Sequence, residues 1–335
     1  MREAMFYETS ADQRVQCLLC AHRCRIDPEK RGVCGVRQNR EGVLYALTYG
    51  MLIAENIDPI EKKPLFHVYP ASKSFSIATV GCNFRCEFCQ NHEISQRPRE
   101  TGDIPGKPTL PAEIVERAVR TGSRTISYTY TEPTIYVEYA LDTARLAHER
   151  GLKNVFVTNG YMTHEALEAL ASCLDAANVD LKSFRDDFYR RQCGAHLAPV
   201  LESLKKMKDL GVWVEVTTLL IPGLNDSEDE IHDIASFIAS LGPEIPWHIS
   251  RFHPRYRMQR RSATSASAIH RAAEIGRACG LKYVYAGNIP GDPGENTACF
   301  HCGQLLIVRH GFHVEQVHLD ASACSRCGAM LEGIF

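Results

Sequence analysis

Residues 81 to 91 read Gly-Cys-Asn-Phe-Arg-Cys-Glu-Phe-Cys-Gln-Asn, so Cys82, Cys86 and Cys89 stand at a C-x3-C-x2-C spacing. Three thiolates this close in sequence can hold three irons of a [4Fe–4S] cluster and leave the fourth iron without a protein ligand. An open metal position is where chemistry takes place, as at catalytic metal sites generally. The competing reading is a zinc knuckle, or three incidental cysteines. Zinc prefers four closed ligands, commonly arranged in C-x2-C pairs, and His92 is the one local candidate to complete such a set.

Two further cysteine sets flank this one. Cys17, Cys20, Cys24 and Cys34 follow a C-x2-C-x3-C-x9-C pattern. Four thiolates suffice either for zinc or for a second, fully ligated Fe–S cluster, and the spacing does not choose between them. Cys299-x2-Cys302 and Cys324-x2-Cys327 form paired knuckles, each followed by glycine (Gly303, Gly328). Between them, LLIVRHGFHVEQVHL reads as two strands around His310-Gly311, which gives a zinc-ribbon or rubredoxin-like module with zinc the expected metal. Cys173, Cys193 and Cys279 stand alone and read as small buried hydrophobes.

Clustered cysteines point to metal rather than disulfides in a reducing compartment, and the expected location is the cytoplasm. MREAMFYETS lacks the apolar region of a signal peptide, and no apolar run approaches membrane-spanning length. Charged residues make up 23% of the chain and the formal net charge is −2, which argues against nucleic acid or an anionic membrane as the main partner.

The elements that must position these cysteines begin near residue 75. Short β-rich runs at 75–81, 125–131, 154–160, 177–182, 212–221 and 247–252 alternate with helical stretches at 135–149, 197–210, about 227–241 and about 265–279. Ser227 and Glu230 form a capping-box pair at the start of the third of these helices. The run 281–287 extends or flanks the sheet. Six βα units are too few for a closed eight-stranded barrel, so the expected fold is α/β: a partial, TIM-like (β/α)6 barrel. Residues 1–70 form an N-terminal cysteine-rich cap and lead-in, 71–290 the barrel, and 291–335 the ribbon. In such folds ligands bind at the carboxyl ends of the strands, where every polar motif of this chain falls.

The central cysteine motif, with Phe88 before its last cysteine, resembles the signature of the radical S-adenosylmethionine (SAM) superfamily. The resemblance implies that the open iron chelates SAM and that the reduced cluster cleaves it to methionine and a 5′-deoxyadenosyl radical. Thr129-Tyr130-Thr131-Glu132-Pro133 is similar in position to the family's Gly-Gly-Glu-Pro motif, with both glycines replaced, and Glu132 would meet the SAM ammonium. Asn159, at the end of the third strand, would contact the SAM ribose or carboxylate. Asp180-Leu181-Lys182 resembles the Asp-Leu-Lys element of glycyl-radical-enzyme activases, in which Asp180 and Lys182 would line the SAM pocket. His253 is the counterpart of an activase histidine, with His248 as the alternative. The activase resemblance, which includes IPGLND (221–226), covers roughly 75–255.

IDPIEKKPLFHVYP (57–70), the N-terminal cysteines and the C-terminal ribbon together resemble the radical SAM component of the AmmeMemoRadiSam system, over nearly the whole chain. That resemblance implies a flavodoxin or ferredoxin reductant and Memo-like and AMMECR-like partners, and it leaves the substrate unidentified. Two rival functions stand beside it: an activase that installs a glycyl radical on a partner enzyme, and a metal-stabilised scaffold or electron carrier without SAM chemistry.

Overall fold

The computed structural model describes residues 1–335. Its centre is an eight-stranded sheet of β1 (Ala54–Pro59), β2 (Lys73–Ala78), β3 (Thr125–Tyr128), β4 (Lys153–Thr158), β5 (Ala176–Asp180), β6 (Trp213–Leu220), β7 (Trp247–Arg251) and β8 (Val284–Gly287), in that spatial order. β2 through β8 are all parallel, and β1 lies antiparallel against β2. The run at 281–287 therefore extends the sheet as a seventh parallel strand.

Crossover helices α1 (Pro111–Arg120), α2 (Val137–Glu149), α3 (His164–Leu170), α4 (Ala198–Asp209), α5 (Glu228–Leu241) and α6 (Ala266–Ala278) join successive parallel strands. β3 is buried on both faces, as covered parallel strands must be. The apolar stripe of α5, from Ile231 through Ile234 to Ile238, is wholly buried. Ser227 caps α5 by accepting from the Glu230 N–H, but the reciprocal half of the capping box is absent. Glu230 turns inward instead, accepting from the Ser183 hydroxyl and the Phe184 N–H, because those buried donors would otherwise go unpaired.

The cap is built from short antiparallel strands, Tyr7–Thr9 with Val15–Cys17 and Arg25–Ile26, and Arg2–Glu3 with Val43–Ala46 and Arg37–Arg40. Val15, Leu19, Ile26, Val36 and Leu44 join the same apolar core as the barrel. A buried ion pair between Arg37 and Glu138, with a shortest N–O distance of 2.6 Å, ties the cap to α2. At the other end, β9 (Thr297–Ala298), β10 (Leu305–His310) and β11 (His313–Val317) form the ribbon. Its own small core packs Leu306 and Ile307 against Phe66, Tyr283 and Tyr285. Buried Arg309 locks the ribbon down by donating to the Phe66 carbonyl (2.9 Å) and to the Thr297 hydroxyl (2.7 Å).

Candidate active site and metal centres

β2 ends at Ala78, and the chain runs straight into the loop that carries Cys82, Cys86 and Cys89. The loop is fixed from three directions. Gln192 and Cys193 accept from the Glu87 and Arg85 N–H groups, and Arg99 donates to the carbonyls of Cys82 (3.2 Å) and Val33 (2.8 Å). Gly81, at φ +103°, lies so close to Val36 that a Cβ would stand 2.8 Å from its side chain. Any other residue there would displace the cap or the loop.

All three cysteines line a cavity of about 540 Å³ at the carboxyl ends of the strands. Phe88, Glu132, Asn159, Asp180 and Lys182 line it too. Unlike a set closed on one ion, the three loop sulfurs do not all lie within 4.8 Å of one another. A four-iron cube would give each thiolate its own iron. Lys182 donates to Asp180 (2.8 Å) and stands over the Phe88 ring at 5.7 Å. Burial would lower the Lys182 pKa, but Asp180, Cys86 and Cys193 together hold it well above its ordinary value, so it is an ammonium. The Cys193 thiol beside it, and the positive charge of Lys182, depress Cys86 against the opposing effect of burial.

Glu132 is only 2% exposed, and its carboxylate is occupied by protein. Oε1 accepts from the Thr134 N–H (3.0 Å), the Thr134 hydroxyl (2.5 Å) and the Thr158 hydroxyl (2.7 Å), while Oε2 accepts from the Asn159 N–H (2.8 Å). Burial raises its pKa despite these donors. The carboxylate thus clasps the ends of β3 and β4. Asn159 in turn donates to Asn83 of the cluster loop at 2.7 Å.

Tyr130 occupies a position where the family motif has glycine, and it adopts φ +62°, a left-handed conformation that costs a non-glycine residue free energy. Its anchors offset that cost. The hydroxyl donates to Asp58, and the Lys63 ammonium lies 4.5 Å over the ring. Burial lowers Lys63 to about 8, although Asp58 opposes this.

His253 does not reach the inner cavity. It is exposed, because β7 ends at Arg251 and the chain turns outward at Pro254, and it lines an adjoining outer cavity with Gln90, Asn91 and Phe312. His248 is the histidine of the inner cavity, oriented by a 2.6 Å hydrogen bond to buried Glu215. Two contributors escaped the sequence reading. Cys193 touches Cys86, and nothing in its isolated position signals that. Phe312, at the hairpin tip of the ribbon, lines both cavities, and its place in the His-Gly-Phe-His turn was the only available signal.

The ribbon cysteines converge. Cys299 and Cys327 sulfurs are 3.7 Å apart, as are those of Cys302 and Cys324, and all four lie within 4.8 Å of one another. A tetrahedral ion with bonds of about 2.3 Å requires sulfur–sulfur edges of about 3.8 Å, so this site fits a single metal ion. Gly303 and Gly328 sit at φ +72° and +73° and donate back to the Cys299 and Cys324 carbonyls, closing two equivalent knuckles. Cys17, Cys20, Cys24 and Cys34 surround a separate small cavity beneath the cluster loop.

Comparison with known proteins assigns the class. Residues 76–238 match the family model described as "Radical SAM superfamily". A relative from Methanocaldococcus jannaschii, "Uncharacterized protein MJ0808", is 48% identical over 99% of each chain. The pyruvate formate-lyase-activating enzyme of Clostridium pasteurianum is 24% identical over 48% of this chain and 67% of its own length. A radical SAM methyltransferase from Sphaerobacter thermophilus has a TM-score of 0.52 at 19% identity, over 71% of each chain, a likeness of fold alone.

The chain belongs to the radical SAM superfamily. More particularly, its homologues include pyruvate formate-lyase-activating enzymes. The family implies a [4Fe–4S] cluster, SAM and a reductant such as flavodoxin or ferredoxin. No helix is long and apolar enough to cross a membrane.

Proposed function

We propose that this chain uses the 5′-deoxyadenosyl radical, made by reductive cleavage of SAM, to abstract hydrogen from a substrate whose identity is open. The observation that carries this reading is the meeting, in one cavity, of the three loop cysteines with Asn159, Asp180 and Lys182 from the ends of successive strands. Cys82, Cys86 and Cys89 would hold the cluster, which supplies the electron that cleaves the SAM sulfonium. Lys182 offers a fixed positive charge to the methionine carboxylate, and Phe88 covers the site with an apolar face. Asn159, steadied by Glu132, orients the ligand beside Asn83, while His248 takes the place foreseen for His253. Glu132 serves as a positioning residue. The walls exclude water, and preorganised contacts aim one reacting bond.

The ribbon tetrad suits zinc, and the sulfur spacing supports that choice over a cluster. The division into cap (1–70), barrel (71–290) and ribbon (291–335) accords with the separate small core of the ribbon, while the cap shares the barrel's core. Fourteen free cysteines suit a reducing cytoplasm. Memo-like and AMMECR-like proteins are the proposed partners. A second reading, glycyl-radical activation of a partner enzyme, is favoured by the activase homologues.

The test is anaerobic reconstitution, reduction by dithionite with SAM, and chromatography for 5′-deoxyadenosine. Product is expected from the wild type and none from Cys86→Ala. An intact cluster whose EPR signal ignores added SAM would favour a scaffold or electron carrier instead.

A further inference from the structure

The cap tetrad lies against the catalytic loop from both sides. His22 of the cap is 2.9 Å from the Asn83 carbonyl, and a Cβ on Gly81 would stand 3.3 Å from the Cys34 carbonyl. Residues on either side of Cys82 thus touch the cap. The cavity between them is lined by the four cap cysteines together with Arg37 and Asn83.

Two buried donors at this cavity lack partners. Arg37 is 2% exposed and spends its terminal nitrogens on Glu138 and the Met5 carbonyl, which leaves its Nε–H free. Asn83 is 1% exposed, and its amide Nδ2 likewise has no acceptor. Buried donors are rarely left unpaired, so two beside one cavity call for an acceptor within it. The Val33 N–H already points at the Cys24 sulfur at 3.4 Å. Anionic metal–thiolate sulfur is the acceptor that these groups and the four thiols have in common.

The spacing then selects the metal group. The ribbon sulfurs close to 3.7 Å, as one ion demands, whereas no three of the cap sulfurs converge within 4.8 Å. The sulfurs of the loop trio likewise do not all lie within 4.8 Å of one another. We infer that Cys17, Cys20, Cys24 and Cys34 hold a second, fully ligated [4Fe–4S] cluster, abutting the catalytic loop and receiving N–H···S bonds from Arg37 and Asn83. The inference rests on the radical SAM reading only for the identity of its neighbour.

The experiment is metal analysis with Mössbauer and EPR spectroscopy on full-length protein purified without oxygen. The Cys82→Ala/Cys86→Ala/Cys89→Ala variant, which cannot hold the catalytic cluster, is expected to retain about four irons per chain with a four-iron spectrum. It should also retain one zinc, at the ribbon. Wild type is expected to carry about eight irons, and its reduced EPR signal should be broadened by interaction between clusters, a broadening absent from the variant. A variant with no iron and a second zinc would overturn the assignment. Should the variant not fold, a wild-type count of only about four irons overturns it as well. Failure of the radical reading is separable, because it would abolish 5′-deoxyadenosine while leaving the variant's iron in place.

Discussion

Replacing Glu132 by alanine separates two tasks for that carboxylate: binding SAM directly, or holding the strand ends that bind it. The substitution strips the acceptor from the Asn159 N–H and the Thr158 hydroxyl, both in buried residues. Each buried donor left unpaired costs about 1–3 kcal/mol, so these two alone predict a loss of about 2–6 kcal/mol in unfolding free energy. The Thr134 donors lie in the turn that follows, and their loss can only add to this. Anaerobic urea denaturation of the reconstituted protein measures the loss. Glu132→Gln keeps one oxygen acceptor and should fall between wild type and alanine. A loss below about 1 kcal/mol, accompanied by SAM binding weakened about tenfold or more, would refute the clasp and return Glu132 to the ligand.

Other expectations follow from the same geometry. Lys182→Met removes a buried ammonium and should raise the Kd for SAM about tenfold or more, read by isothermal titration, with iron content unchanged. His67 is buried, bonded to the Glu332 carbonyl and the Tyr285 hydroxyl (2.7 Å each), and burial lowers its pKa to about 4. Between that value and the unfolded one near 6.5 the unfolded state binds the extra proton, so this contribution to stability is present above pH 6.5 and falls with acidification. Lowering pH from 6.5 to 5 should cost about 2 kcal/mol more in wild type than in His67→Gln, measured by denaturant titration at each pH. Cys327→Ser should abolish zinc binding, leave iron intact and open the ribbon to proteolysis, seen as cleavage beyond residue 291.

The parallel sheet was legible because its strands are short β-branched runs that close on turn signals, and all seven parallel strands fall where those runs lie. β1 and the cap strands were not, since residues such as Glu55, Asn56 and Asp58 carry no alternating apolar pattern and pair only because β2 offers an edge. The ribbon's cysteine tetrad was legible from spacing alone. Glu132 was found by its place in the order of motifs, yet its bonding to Thr158 and Asn159 depends on how β3 and β4 lie side by side, which spacing does not encode. His253 was misplaced for a related reason. Only the observed end of β7 decides which of two histidines faces inward.

Phe312 and Glu295 complete the wall of the inner cavity, and Arg309, on the strand that leads to the Phe312 turn, donates to the carbonyls of Glu295 and Phe66. Both wall residues come late in the chain. While the protein is being made, the barrel strands therefore leave the ribosome with the cavity mouth still unroofed, and it stays so until the hairpin beyond Leu305 has followed and docked. Domains acquire structure in the order in which they are synthesised. The cavity that Cys82, Cys86 and Cys89 line thus stays open on the ribbon's side in the nascent chain, and docking of the hairpin sets the moment when that opening narrows.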